Sequence, residues 1–234
     1  LTHIEEGWPD AHSNGGIRES RDFYFFLDAV RLIRRSSALS AGEYDAMRVW
    51  SSKFLEWLTS SAKGNRAARR RDIHGIDYDL QTASLAAFVG DLDHFLECMR
   101  NAQLRIGHQF DPDGAQVHLL ASSASFKSSV EILQSWTNVC RIAATGGTDL
   151  VSYRSRDGRS LCRAFEHLLT HIEEGWPSGS ERRPGAPQSA VLWHHAHQLC
   201  PDLGKHSEPL PCRFDIASTH NWNSGIRPFW QLGF

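Results

Sequence analysis

Strand signals, methionine and cysteine are what this chain has least of, with two methionines and five cysteines in 234 residues. No apolar run approaches the roughly 20 residues that a membrane-spanning helix needs, so no membrane partner is expected. The first residues lack the basic start and apolar core of a secretion signal, and no methionine opens the chain. It therefore reads as a mature product, a fragment or an incomplete gene. A net charge of -2 at pH 7 gives no electrostatic reason to expect nucleic acid. Phosphate-binding glycine loops, dinucleotide fingerprints and nucleophile elbows are missing, which sets nucleotide chemistry aside. Cys98, Cys140, Cys162, Cys200 and Cys212 are too scattered for a disulfide framework, and three fall in segments with helical character. Buried free thiols are the expectation.

What is present is helical periodicity. Phe23, Phe26, Leu27, Val30 and Ile33 recur at helical spacing, as do Met47, Trp50, Phe54 and Trp57, and each set makes one apolar stripe. Ser40 followed three residues later by Glu43 is a capping box, which marks a helix start. Further helices are expected over about residues 77–89, 92–106, 127–144, 160–172 and 189–199, separated by glycine or proline breaks such as Gly90-Asp91, Pro112-Asp113-Gly114 and Gly146-Gly147. Short connections between such helices imply antiparallel pairs, which suits a bundle, a solenoid or an α/α toroid. Residues 1–9 and 169–177 are identical, both reading Leu-Thr-His-Ile-Glu-Glu-Gly-Trp-Pro. Identity stops abruptly after each copy, unlike a solenoid, so a local duplication, a tandem-domain remnant or an assembly artefact is favoured over a functional repeat. The division expected is a helical domain over residues 1–177, then a linker, one helix and an aromatic-rich irregular tail over 178–234.

Four short patterns follow one another in the middle of the chain. They are His74-Gly75-Ile76-Asp77-Tyr78-Asp79-Leu80-Gln81, Phe88-Val89-Gly90-Asp91, Asp111-Pro112-Asp113-Gly114-Ala115-Gln116, and Ser152-Tyr153-Arg154-Ser155 with Asp157-Gly158-Arg159-Ser160-Leu161. Together, over about residues 14–176, they resemble the alginate lyase family. The resemblance implies an all-α fold, an incomplete α/α toroid of antiparallel helix pairs truncated at its N-terminal side. It also implies β-elimination on a uronic-acid polymer such as alginate and action outside the cytoplasm; no cofactor or metal is expected. Oligomeric state is left open.

β-Elimination needs a neutralised carboxylate, a base for the C5 proton and an acid for the departing glycosidic oxygen. The family's set is an adjacent asparagine and histidine, an arginine and a tyrosine. Its histidine matches His74, the carboxylate neutraliser, while the asparagine before it is replaced by Ile73, which cannot donate a hydrogen bond. Asp72 beside it would repel an anionic substrate. Counting without gaps from the Asp113-Gly114 motif puts Ala124, Lys127 and Ser128 where the arginine, histidine and tyrosine should stand. Lys127 is the candidate substitute, as a point charge or as a base of lowered pKa. Tyr78 and Gln81 are taken as substrate-binding neighbours of the cleft, and Arg66, Arg69, Arg70 and Arg71 as polymer contacts, because guanidinium forks match carboxylates. Losing three groups should silence the usual mechanism, so the alternative is an inactive homologue that binds acidic polysaccharide or a protein partner.

Two other groupings are weaker. His194, His195 and His197 with Cys200, His206 and Cys212 lack the paired spacing of a zinc site, and no metal is assigned to them. Trp50, Trp57, Trp136 and Trp193 could stack on sugar rings, although the first two lie on an apolar stripe and are expected in the core.

Overall fold

The computed structural model describes residues 17, 20–119, 125–174 and 186–204. Among them the protein is all-α. The helices are α1 (Phe23–Ile33), α2 (Ala41–Ser60), α3 (Ala62–Ala68), α4 (Ile73–Val89), α5 (Leu92–Gln109), α6 (Ser125–Thr145), α7 (Leu161–Glu174) and α8 (Ala186–Leu199). The only extended pairing among the described residues is an isolated antiparallel bridge between Phe110 and Gln116. The first nonapeptide copy, His206, Cys212 and the aromatic tail lie outside the described residues. Two compact units result, one of Leu1–Ala102 with Ile142–Thr148 and one of Gln103–Arg141 with Asp149–Phe234.

In the first unit α4 is the core, with α1, α2 and α3 packed on it. Ile76, Leu80, Ala83, Leu85 and Phe88 are all buried, and so are the polar Asp77, Asp79 and Gln81. A helix buried over most of its surface is one the other helices wrap, and its packing rather than its propensity holds it. Truncating a buried leucine of this kind costs about 2–5 kcal/mol. The aromatic stripes of α1 and α2 meet: Phe23 stacks on Trp50 at 5.2 Å and sits edge-on to Phe54, which stacks on Trp57. Trp50 and Trp57 pack in this cluster but are half-buried rather than in the core. Phe26 and Ile33, assigned to the α1 stripe, are instead 46% and 42% exposed, the buried positions being Leu27 and Val30. The stripe is narrower than its spacing suggested.

The helix ends explain the boundaries. Ser40 and Glu43 form both bonds of the capping box at the start of α2. Ser61 then serves twice, its N–H donating to the Trp57 carbonyl to close α2 while its hydroxyl accepts from the Gly64 N–H to open α3. A Cβ on Gly64 would lie 1.7 Å from the Leu58 carbonyl oxygen, so only glycine permits this corner. Helix α4 ends at Gly90 in the left-handed region (φ 81°), with the Arg48 guanidinium donating to the Val89 carbonyl at 2.6 Å. Asp91 then caps α5, accepting from the His94 N–H at 3.1 Å. The Cys98 thiol donates to the Asp79 carbonyl, so α5 doubles back on α4 as the short connection implied.

In the second unit Arg159 closes the end of α5. Its Nη1 donates to the carbonyls of Gly107 and Phe110, both at 2.9 Å, while its Nε donates to Asp157 at 2.7 Å. Asp111 builds the following turn by accepting from the N–H groups of Asp113 and Ala115. Trp136 of α6 is fully buried and its Nε1 donates to Gln109 Oε1 at 2.7 Å, which makes it a core residue. Helix α7 buries Leu161, Ala164, Phe165, Leu168 and Leu169, a complete amphipathic stripe. Its last six residues belong to the second nonapeptide copy.

The expectation of free thiols holds for Cys98 and Cys140, which are both buried. It is overturned for Cys162 and Cys200, which form a disulfide, Cα to Cα 5.6 Å, tying α7 to the residue after α8. Two cysteines 38 residues apart carry no spacing signal, and only the packing of α7 on α8 brings them together. The bond also removes Cys200 from any zinc site, and no group of three metal-binding side chains occurs among the described residues.

Candidate functional site

The sequence places its basic run at the end of a helix and its histidine at the start of the next, and the structure shows how they are joined. Helix α3 ends at Ala68, with Arg69 as its C-cap. Arg66, in the last turn of α3, and Arg69 and Arg71, on the short connection that follows, are exposed. Arg70 is half-buried and turns onto Asp72: its Nε lies 2.9 and 3.0 Å from the two carboxylate oxygens, and its Nη2 closes on Oδ2. Asp72 is the N-cap of α4, and its Oδ1 accepts the His74 N–H at 3.1 Å.

Helix α4 was expected from about residue 77 and begins four residues earlier, because Asp72 supplies the cap that the reading assigned only as a repulsive charge. The carboxylate is not a bare charge. Burial works to raise its pKa, but the Arg70 hydrogen bonds and charge, with smaller help from His74, hold it below the ordinary range.

His74, half-buried, is the second residue of α4, and Tyr78 stands one turn later on the same face. Burial pushes the Tyr78 phenol up to about 12, so at neutral pH it keeps its proton. Gln81 is fully buried, its amide Nε2 donating to the Ile17 carbonyl and its Oε1 accepting from the Ser20 hydroxyl at 2.8 Å. It ties the segment before α1 to α4, and both ends of the amide are engaged in doing so. Ile73, at the position of the missing asparagine, is buried.

Arg66 thus lies in the last turn of α3, Arg69 and Arg71 flank the Arg70–Asp72 pair in the connection to α4, and His74 and Tyr78 share a face of α4. Lys127 belongs to α6 in the second unit, and its side chain lies outside the described residues. Of the histidine grouping, His195 is buried, His197 packs at a tilt against Trp193 with ring centroids 4.1 Å apart, and the His194 side chain lies outside the described residues. The Asp72 pairing and the Arg159 clamp were not legible as such. A signal for the first existed in an aspartate immediately ahead of an apolar helical run, which is an N-cap pattern.

The family model for alginate lyase matches residues 6–176. Among solved structures the chain is similar to a crystal structure of an alginate lyase from Bacteroides ovatus, with 24% sequence identity and a TM-score of 0.73. The match covers 81% of this chain and 51% of that one, so the chain spans about half the length of that neighbour. At this identity the likeness speaks for the all-helical fold. No curated protein matches.

Proposed function

Because the chain belongs to the alginate lyase family, we propose that this polysaccharide lyase-like domain engages a uronic-acid polymer such as alginate at the start of α4 and acts on it by β-elimination. The observation that carries the reading is the placement of His74 and Tyr78 on one face of α4, with exposed Arg66, Arg69 and Arg71 on the segment that leads into it. Guanidinium forks pair with carboxylates, and several along one connection suit a polymer with a carboxylate on every ring.

In the reaction, the substrate carboxylate is neutralised, a general base, for which the sequence offers Lys127, takes the C5 proton, and the C5–H electron pair forms the C4–C5 double bond as the glycosidic C4–O bond breaks. The departing oxygen then takes a proton. His74 is assigned to the carboxylate, where a preorganised donor stabilises the developing enediolate. Tyr78, protonated at neutral pH, is suited to donate to the leaving oxygen. Lys127 remains the sequence-based substitute for the missing histidine, and the assignment here rests on the α4 residues.

A second reading is favoured by one observation. Ile73 faces the core and offers no donor where the family has an asparagine, which supports an inactive homologue that binds the acidic polymer. Ultraviolet absorbance of unsaturated uronic ends decides between them. Product from a polyuronate panel that disappears in His74→Ala supports the lyase. Polymer binding by folded protein without product supports the second reading, and neither binding nor product removes both. The Cys162–Cys200 disulfide supports a location outside the reducing cytoplasm. No helix among the described residues is long and apolar enough to cross a membrane.

A further inference from the structure

We infer that Arg70 is the counter-ion of Asp72 rather than a polymer contact, and that the pair is a positioning device which lets a carboxylate cap the helix of His74 without repelling an anionic substrate. The inference rests on the proposed engagement of a polyuronate at the start of α4. Three observations meet here. The Asp72 side chain is 25% exposed, so an unpaired charge there would be felt by a polymer beside His74. The guanidinium grips both carboxylate oxygens of Asp72, while the neighbouring Arg69 and Arg71 remain exposed. The same carboxylate holds the His74 N–H, so the first turn that presents the imidazole depends on it.

The cap could have been supplied by a neutral residue. Asparagine caps as well as aspartate, so the negative charge is not needed for the bond to His74. An aspartate adds favourable interaction with the positive end of the helix, at the expense of a like charge facing the substrate. Arg70 removes that conflict. Its role is then electrostatic and conditional: Arg70 matters because Asp72 is charged, and should cease to matter once it is not.

The test is a charge rescue, read by binding of alginate oligosaccharides to folded protein, with thermal melts confirming the fold of each variant. Arg70→Ala is expected to weaken binding about tenfold, since it removes the guanidinium that holds both oxygens of a like charge facing the polymer. Asp72→Asn should bind at least as well as the parent protein, and Arg70→Ala combined with Asp72→Asn should return to within about twofold of it. A double variant as weak as Arg70→Ala would mean that Arg70 itself touches the polymer, which overturns the proposal, as would full affinity in Arg70→Ala. Absence of alginate binding in the parent protein would instead remove the polyuronate reading. The pair is then read without polymer, by following the Asp72 carboxyl resonance: its titration should move to higher pH in Arg70→Ala, and an unmoved titration overturns the pairing.

Discussion

Gly114 and Arg163 meet backbone to backbone: a Cβ built on Gly114 would lie 2.2 Å from the Arg163 carbonyl oxygen and 2.5 Å from its carbonyl carbon. Gly114 also has φ at 89°, where a side chain is strained in any case. The Asp113-Gly114 motif is thereby explained as a close approach of the turn after α5 to the first residues of α7.

Gly114→Ala should therefore lose about 3 kcal/mol or more, combining left-handed strain with a clash against backbone that cannot swing aside. Urea denaturation measures it, with the exposed Asp113→Ala as the control, expected within about 0.5 kcal/mol of the parent protein. Equal midpoints for the two variants would refute the packing argument.

The disulfide closes a loop with a sequence separation of 38 between Cys162 and Cys200. Chain-entropy reasoning for a loop of that size gives about 4 kcal/mol of stabilisation through the unfolded state. Replacing both cysteines with serine should lower the unfolding midpoint, and a reducing agent should do the same to the parent protein but nothing further to the variant. A variant as stable as the parent would show that the bond adds nothing.

Stability should fall with acid in two stages. Burial lowers the pKa of His167, the nearby His171 adds to this, and Asp111 and Asp113 oppose it. The folded protein thus disfavours the imidazolium, and the stability this gives is present above about pH 6.5 and lost as pH falls through the lower folded value. The second stage belongs to Asp72, Asp91, Asp149 and Asp157, all held below the ordinary carboxylate range. Their contribution is present above about pH 4 and is lost as pH falls through their folded values. Urea midpoints measured against pH should show both stages, and His167→Gln should remove the first alone. A curve that is unchanged in that variant would discard the His167 assignment.

The sequence carried the helices well where local chemistry writes them. Ser40 with Glu43 fixed the start of α2 to the residue, and the apolar stripes located the aromatic contacts of Phe23, Trp50 and Phe54. It missed α3, whose seven residues Ala-Lys-Gly-Asn-Arg-Ala-Ala carry no apolar period and which is held by its corner with α2. Gln81 was taken for a cleft residue because its neighbours in the motif suggested one, whereas its amide is engaged with Ile17 and Ser20, 64 and 61 positions away. Asp72 was misjudged for the same reason. Whether a charge is bare or compensated depends on a side-chain geometry that composition does not record, and the arginine concerned had been assigned to the polymer.

The tight corner at Gly64 acts on the arginines as a pivot acts on a lever. Nothing at that position ionises, donates or accepts beyond the main chain, yet it sets the direction in which α3 leaves α2 and hence where Arg66, Arg69 and Arg71 are carried. The electrostatic potential over this face is governed in part by a residue with no side chain. A single added methyl group there, with net charge untouched, would re-aim the whole basic array.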